Sequence, residues 1–301
     1  MVSDILHHFI TLDDSFIIGE VGNMAQKKVI VISDIHLGYE FCDREALNNF
    51  LDDLEKDPEI TDLVLLGDIV DMWRRDSSGV FLEGRETMDR ISALSKRIEV
   101  HYVAGNHDYH VTDLVNKRPF FHYPFDFRKD LTINDGAHTY HFMHGYEFEY
   151  GDDPLMYLVM ESLCRVMSDD VGTFQDDIWG IFTKSWTDIR FILTVIFFWQ
   201  KKRSVNQTAS MLQQGPSARL AVTKPDIDQQ AYKEQGKRAN EILIFGHTHR
   251  PFINEQENLV NSGSWVTNED VHNTYVELKD GKPKLFVYGK GEITQRVNIP
   301  K

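Results

Sequence analysis

The chain has 301 residues, enough for one large domain or for a domain carrying an insertion. Its 32 Lys and Arg stand against 47 Asp and Glu, and the formal net charge of −15 disfavours nucleic acid as a partner. Two cysteines, Cys42 and Cys164, lie in no Cys-x-x-Cys pattern, so no disulfide framework is implied and both read as reduced side chains, in keeping with a cytoplasmic protein.

From the N-terminus, Met1 to Ile5 lacks the basic start and long apolar run of a signal peptide. The pair His7 and His8 reads as a solvated tail, and residues 9–21 as one or two short strands. Val29-Ile30-Val31-Ile32 is a short β-branched run, the pattern of a buried strand, and Asp34-Ile35-His36 follows it. Asp43 to Glu55 places Ala46, Leu47, Phe50, Leu51 and Leu54 at helical spacing. Leu63-Val64-Leu65-Leu66 predicts a second strand, and Gly67-Asp68-Ile69-Val70-Asp71 follows directly. Trp73-Arg74-Arg75-Asp76 comes next, a loop whose basic pair Arg74 and Arg75 is a candidate contact for a substrate phosphate. Thr87 to Arg97 predicts a helix, and Val100-His101-Tyr102-Val103 a strand that leads to Gly105-Asn106-His107-Asp108. Recurrence of strand, helix and strand is the signature of parallel α/β units.

Phe120 to Phe125 is aromatic and reads as core packing. Residues 131–143 predict strands that carry His138 and His141 and end at His144-Gly145. Pro154 to Met167, Phe174 to Trp199 and Ser204 to Gly236 are helical in composition. The chain then returns to a strand at Ile242-Leu243-Ile244-Phe245, which precedes Gly246-His247-Thr248-His249. Asn261-Ser262-Gly263-Ser264 predicts a turn near those histidines, and strands at Thr274–Leu278 and Lys284–Tyr288 finish the pattern.

Five motifs therefore place Asp, Asn and His where strands end and loops begin, which is where open α/β sheets build sites. The set is imidazole, carboxylate and one amide, without thiolate. That suits manganese, iron, zinc, cobalt or nickel better than calcium and does not choose among them; manganese or a mixed iron-containing pair is the expectation.

Taken in order, the five motifs resemble the calcineurin-like metallophosphoesterase superfamily over roughly residues 28–149 and 239–265. The resemblance implies a four-layer α-β-β-α sandwich. It implies that Asp34, His36, Asp68 and His249 ligate one divalent ion, and that Asp68, Asn106, His144 and His247 ligate a second. Asp68 would bridge the two. His107 would face the substrate phosphate, with Asp108 orienting it. The reaction implied is hydrolysis of a phosphate ester or pyrophosphate by a metal-activated hydroxide.

Residues 150–238 read as an α-helical insertion, or cap, in a core made of residues 1–149 and 239–301. Within it, Ile181 to Arg203 is apolar and basic. Phe197, Phe198 and Trp199 are candidates for contact with an acyl chain or a membrane surface, weighed against burial in the insertion's own core. Gly67 to Trp73 and Gly246 to Pro251, with the cap between, look like the UDP-2,3-diacylglucosamine pyrophosphatase family, which acts with manganese on a nucleotide-linked lipid. His107 departs from that family, whose members carry Arg there. The implied substrate is a phosphorylated small molecule or a lipid-linked phosphate, with peripheral membrane contact. Two other readings stay open: a repair-type DNA nuclease, which the first motif resembles, and a non-catalytic scaffold of the same superfamily.

Overall fold

Alternate residues of β1 (Val29–Ile32) face different cores, and this alternation sets the layers. Val29 and Val31 pack with Val64, Leu66 and Val103 against Tyr140, Phe142, Ile242 and Ile244 of a second sheet. Ile30 and Ile32 pack on the opposite face with Leu47, Phe50, Leu51, Leu54 and Ile91. A strand covered on both faces must be apolar at every position, which is why the run is unbroken. This computed structural model describes residues 27–112, 125–135, 138–150, 157, 164, 227, 230, 231 and 241–293.

β1 pairs in parallel with β2 (Asp62–Leu66), β2 with β3 (Glu99–Val103), and β3 with β4 (Asp126–Arg128). On the other side β1 meets β10 (Thr274–Lys279) antiparallel, followed by β11 (Lys282–Val287) and β12 (Gly291–Glu292). The second sheet has the order β5 (Asp130–Asn134), β6 (Thr139–Met143), β7 (Glu241–Phe245), β9 (Leu259–Asn261), β8 (Phe252–Asn254). Helices α1 (Arg44–Lys56) and α2 (Ser77–Leu94) bury the first sheet's outer face. Phe148 of α3 (Glu147–Tyr150) and Ala231 pack on the second sheet's outer face against Leu243, Phe245 and Phe252. The fold is thus the expected mixed α/β sandwich of two sheets.

Several boundaries differ from expectation. The helix expected at Thr87 begins ten residues earlier, at Ser77, because the Asp76 carboxylate accepts from the backbone N–H of Ser78 (2.8 Å) and Gly79 (3.0 Å) and caps it. Strands β4, β8, β9 and β12 are two or three residues long, too short to leave a periodic trace. Phe125 is buried against Tyr102 and Phe127, as aromatic core packing requires. Residues 1–26, with His7 and His8, lie outside the described residues. So does the expected insertion apart from Tyr150, Tyr157, Cys164, Ile227, Gln230 and Ala231, which are helical.

Candidate metal centre

The loops after β1, β2, β3, β6 and β7 converge at one end of the two sheets, and the backbone there is bent to a common purpose. Asp34 (φ 51°), His36 (φ 54°), Asp68 (φ 53°), His247 (φ 65°) and His249 (φ 57°) all adopt the left-handed conformation. Each such non-glycine residue costs on the order of 1–3 kcal/mol. Neighbouring loops hold them in place. Asp34 N–H donates to Gly67 O (3.0 Å), His36 N–H to Asp68 O (2.9 Å), and Trp265 N–H to Asp34 O (3.0 Å). The glycine at the head of the second motif is required by close approach: a Cβ on Gly67 would fall 2.3 Å from His144 Nδ1.

The side chains form two adjoining triads, Asp34/His36/His249 and Asp68/His144/His247, whose ligand atoms lie within 4.8 Å of one another in each set. His249 Nε2 is 3.2 Å from Asp34 Oδ1, and His144 Nε2 is 3.1 Å from Asp68 Oδ2. The sets meet where His144 Nε2 comes within 3.9 Å of Asp34 Oδ1, and His36 Nε2 within 3.9 Å of Asp68 Oδ2. Asp34, His36, Asp68, Asn106 and His144 are buried. His247 and His249 are partly exposed and form the open side.

Each inner imidazole is oriented from behind through Nδ1. His36 Nδ1 donates to Asp71 Oδ2 (2.9 Å), His144 Nδ1 to the Leu66 carbonyl (2.8 Å), and His249 Nδ1 to Glu269 Oε1 (3.1 Å). In the neutral ring this leaves an Nε2 lone pair pointing inward, the arrangement a metal ligand needs. His107 Nδ1 also rests on Asp71, at Oδ1 (3.0 Å). One face of its ring stacks on Trp73 at 4.2 Å, and its backbone N–H donates to Asp68 Oδ1 (2.9 Å).

Electrostatics match this geometry. Burial alone would raise the Asp34 and Asp68 pKa values, but His144 and His249 beside Asp34, and His144 and His107 beside Asp68, hold both below the ordinary carboxylate range. For His144 burial works downward, yet Asp68 and Asp34 overcome it and push the ring up to about 10. His249 goes up to about 9, with Asp34 and Glu269 outweighing burial.

The protein's own groups leave the centre unbalanced in a way that fits cations. His36 Nε2 and His249 Nε2 face each other at 3.3 Å, so without a metal only a proton on His249 keeps their lone pairs from opposing. Asn106 Oδ1 is buried without a hydrogen-bond partner, and His144 Nε2 has only carboxylate oxygens in reach, Asp68 Oδ2 at 3.1 Å and Asp34 Oδ1 at 3.9 Å. A divalent ion among these atoms would resolve both conditions with an imidazole, carboxylate and amide donor set.

The profile of the calcineurin-like phosphoesterase family matches residues 27–289 of this chain. The chain belongs to that family. Among solved structures, this calcineurin-like phosphoesterase is similar to a conserved uncharacterized protein (predicted phosphoesterase) of Streptococcus pneumoniae TIGR4, at 14% identity, covering 91% of this chain and 96% of that one with a TM-score of 0.37. Vacuolar Protein Sorting 29 of Cryptosporidium parvum matches at 12% identity over 90% of this chain and 99% of that one, TM-score 0.38. A dimetal phosphatase of Danio rerio matches at 11% identity over 90% and 97%, TM-score 0.45. No curated protein sequence matches the chain.

The structure of this phosphoesterase brings all seven expected ligand residues and His107 to the same loops. It corrects the expectation for Asp108. That carboxylate accepts from Gly105 N–H (2.6 Å), Ile69 N–H (2.7 Å) and Tyr102 Oη–H (2.7 Å), and so ties two motif loops together. Burial pushes its pKa up to about 6. The residue that orients His107 is Asp71, three positions after Asp68 in a motif whose second carboxylate was a visible signal. Glu269 carried no signal in sequence. Arg74 donates to Asp71 Oδ2 (2.6 Å) and lies over the Tyr39 ring at 4.4 Å, beside the centre. Arg75 is turned to Glu83 of α2 and packs over Gly79. Asn261 and Ser262 do shape the site: Asn261 Nδ2 donates to Gly246 O (3.0 Å), and the Ser262 and Ser33 hydroxyls meet at 2.7 Å. Phe197, Phe198 and Trp199 lie outside the described residues. Among the described residues, no helix is long and apolar enough to cross a membrane.

Proposed function

We propose that this chain hydrolyses a phosphate ester or pyrophosphate with two divalent ions, manganese foremost. Asp34, His36, Asp68 and His249 would hold one ion, and Asp68, Asn106, His144 and His247 the other, with Asp68 shared. The observation that carries this reading is the meeting of the two triads at 3.9 Å around inward Nε2 atoms. Bound there, the ions would supply Lewis acidity toward water and the phosphate oxygens.

The chain's own residues do the rest. Asp34 and Asp68 offset part of the ionic charge, and the site stays positive toward a phosphate. Asp71 fixes His107 through Nδ1, so its Nε2 is the nitrogen that can meet the substrate and deliver a proton to the leaving oxygen. Arg74, held by Asp71 and Tyr39, is placed to contact a phosphate oxygen or headgroup. The substrate we favour is a nucleotide- or lipid-linked phosphate, met in the cytoplasm or at a membrane surface, with residues 150–238 as the selecting cap.

The test is a screen of manganese-loaded protein against p-nitrophenyl phosphate, bis-p-nitrophenyl phosphate, nucleotide-diphosphate lipids and single-stranded DNA. Turnover of the lipid or of either p-nitrophenyl ester is expected. Activity confined to DNA would overturn the substrate class, and two bound ions with no turnover on any substrate would leave a scaffold.

A further inference from the structure

His107 is held on several sides by groups that belong to the metal-centre loops: Asp71 at Nδ1, Asp68 at its backbone N–H, and the His36 ring perpendicular to it at 4.8 Å. Its remaining support, from the same loop, leads outside the centre. The Trp73 indole stacks on the His107 ring at 4.2 Å with planes 26° apart, and it is buried. The indole N–H of Trp73 donates to Cys164 Sγ at 3.3 Å. Cys164 belongs to the stretch between α3 and β7, far from Trp73 in sequence. Its thiol lies 3.4 Å from the His107 carbonyl and 3.6 Å from that of Asn106, so its single hydrogen is shared between two carbonyls of the motif loop. The His107 carbonyl also accepts from Met72 N–H (3.2 Å), which ties the same loop to the residue before Trp73.

Nothing about this contact is a loose edge. Trp73, Tyr109, Tyr146 and Cys164 form a small buried cluster with Met72 and Tyr157 at its margin. Tyr157, seven residues before Cys164, stacks on Tyr109 at 5.3 Å, and Lys129 lies over its ring at 4.3 Å. Tyr157 and Cys164 thus each contact the segment from Asn106 to Tyr109. Burial pushes the Cys164 thiol up to about 12, so at neutral pH it is an uncharged hydrogen-bonding group rather than a nucleophile.

We propose that Cys164 sets the orientation of His107 through Trp73, the two acting as positioning residues. The proposal rests on the phosphoesterase reading, because it assigns the bridge to the residue that faces the leaving group. Its chemistry is geometric. Cys164 fixes the indole plane and the motif carbonyls at once, and the indole plane fixes the imidazole. A small tilt of a positioned acid lowers turnover steeply while leaving ground-state binding nearly intact.

The test uses full-length, metal-loaded protein. In Cys164→Ala we expect kcat on p-nitrophenyl phosphate to fall roughly five- to twentyfold with KM and metal content unchanged, the signature of lost transition-state geometry. Cys164→Ser, which keeps a donor and acceptor at that point, should recover most of kcat. Trp73→Phe, which keeps a stacking ring and removes the N–H, should match Cys164→Ala, and the double variant should be no worse than either single one. A second readout needs no turnover: the Trp73 indole and His107 imidazole resonances in isotope-labelled protein should both move in Cys164→Ala. An unmoved His107 resonance or an unchanged kcat in a folded Cys164→Ala protein would overturn the bridge. If Cys164→Ala fails to fold, Trp73→Phe decides by the same two measures. Absence of turnover in the wild type would strike the phosphoesterase reading alone, since the resonances still report whether Cys164 governs His107.

Discussion

Asp68 and His107 sit side by side in the centre yet should fail differently when changed. Asp68 faces both triads, so Asp68→Asn is expected to lower metal content and turnover together; full occupancy of two ions by elemental analysis would refute the bridging role. If, as proposed, His107 keeps its Nε2 for the substrate, His107→Ala should retain both ions and lose about 10²–10³ in turnover, as loss of one transition-state donor does. Loss of an ion with the side chain would instead make it a ligand. Protons supply a third prediction. With His144 raised to about 10 and His249 to about 9, both rings are protonated in metal-free protein at pH 7. Metal must displace those protons, so loading should release about two protons per chain and tighten as pH rises. Calorimetry in buffers of different ionisation enthalpy measures this. The sign for stability follows from pKa values raised above the ordinary 6.5 of each ring. The metal-free fold has that contribution in full below pH 6.5 and loses it as pH climbs through 9 and 10, so its Tm should decline over that window. The loaded protein should show a flatter profile.

The elements that carry the centre were legible because their chemistry is repetitive. β1, β2 and β7 are buried on both faces and announce themselves as apolar runs, β3 buries Val100, Tyr102 and Val103, and α1 shows its stripe of Leu47, Phe50, Leu51 and Leu54. The first half of α2 was illegible because its buried face begins with Gly79, Val80 and Gly84, small groups that leave no apolar stripe. What starts the helix is a single carboxylate, and Asp76→Ala should lower stability by about 1 kcal/mol without changing metal content, read by thermal melting beside elemental analysis. In the centre, residue types were readable and second contacts were not. Asp71 and Asp108 are both carboxylates a few positions from a ligand, and only the folded loops show that one holds imidazoles while the other holds backbone. Glu269 reaches His249 across twenty residues by a turn that no local pattern encodes.

At the scale of the whole chain, the acidic surface and the basic, apolar stretch from Ile181 to Arg203 pull in opposite directions. If that stretch meets lipid, the wild type should pellet with anionic liposomes at low salt and release at high salt, each basic residue contributing about 1 kcal/mol. Changing Phe197, Phe198 and Trp199 to Ser should then abolish the preference for a lipid-linked substrate while p-nitrophenyl ester hydrolysis continues; a folded triple variant with the preference intact would sink the lipid contact. The centre itself also belongs to this scale. Asp34 and His247 are 213 residues apart, and His36 and His249 are separated equally. During synthesis, a growing chain that has already emerged with Asp34, His36 and Asp68 still lacks the two histidines that close both triads. A nascent polypeptide therefore offers the cell's metal pool only half-sites of weak, unselective affinity. Tight capture becomes available only after His247 and His249 have been made and β7 has joined the second sheet, so ion uptake would serve as a timestamp for that step of folding.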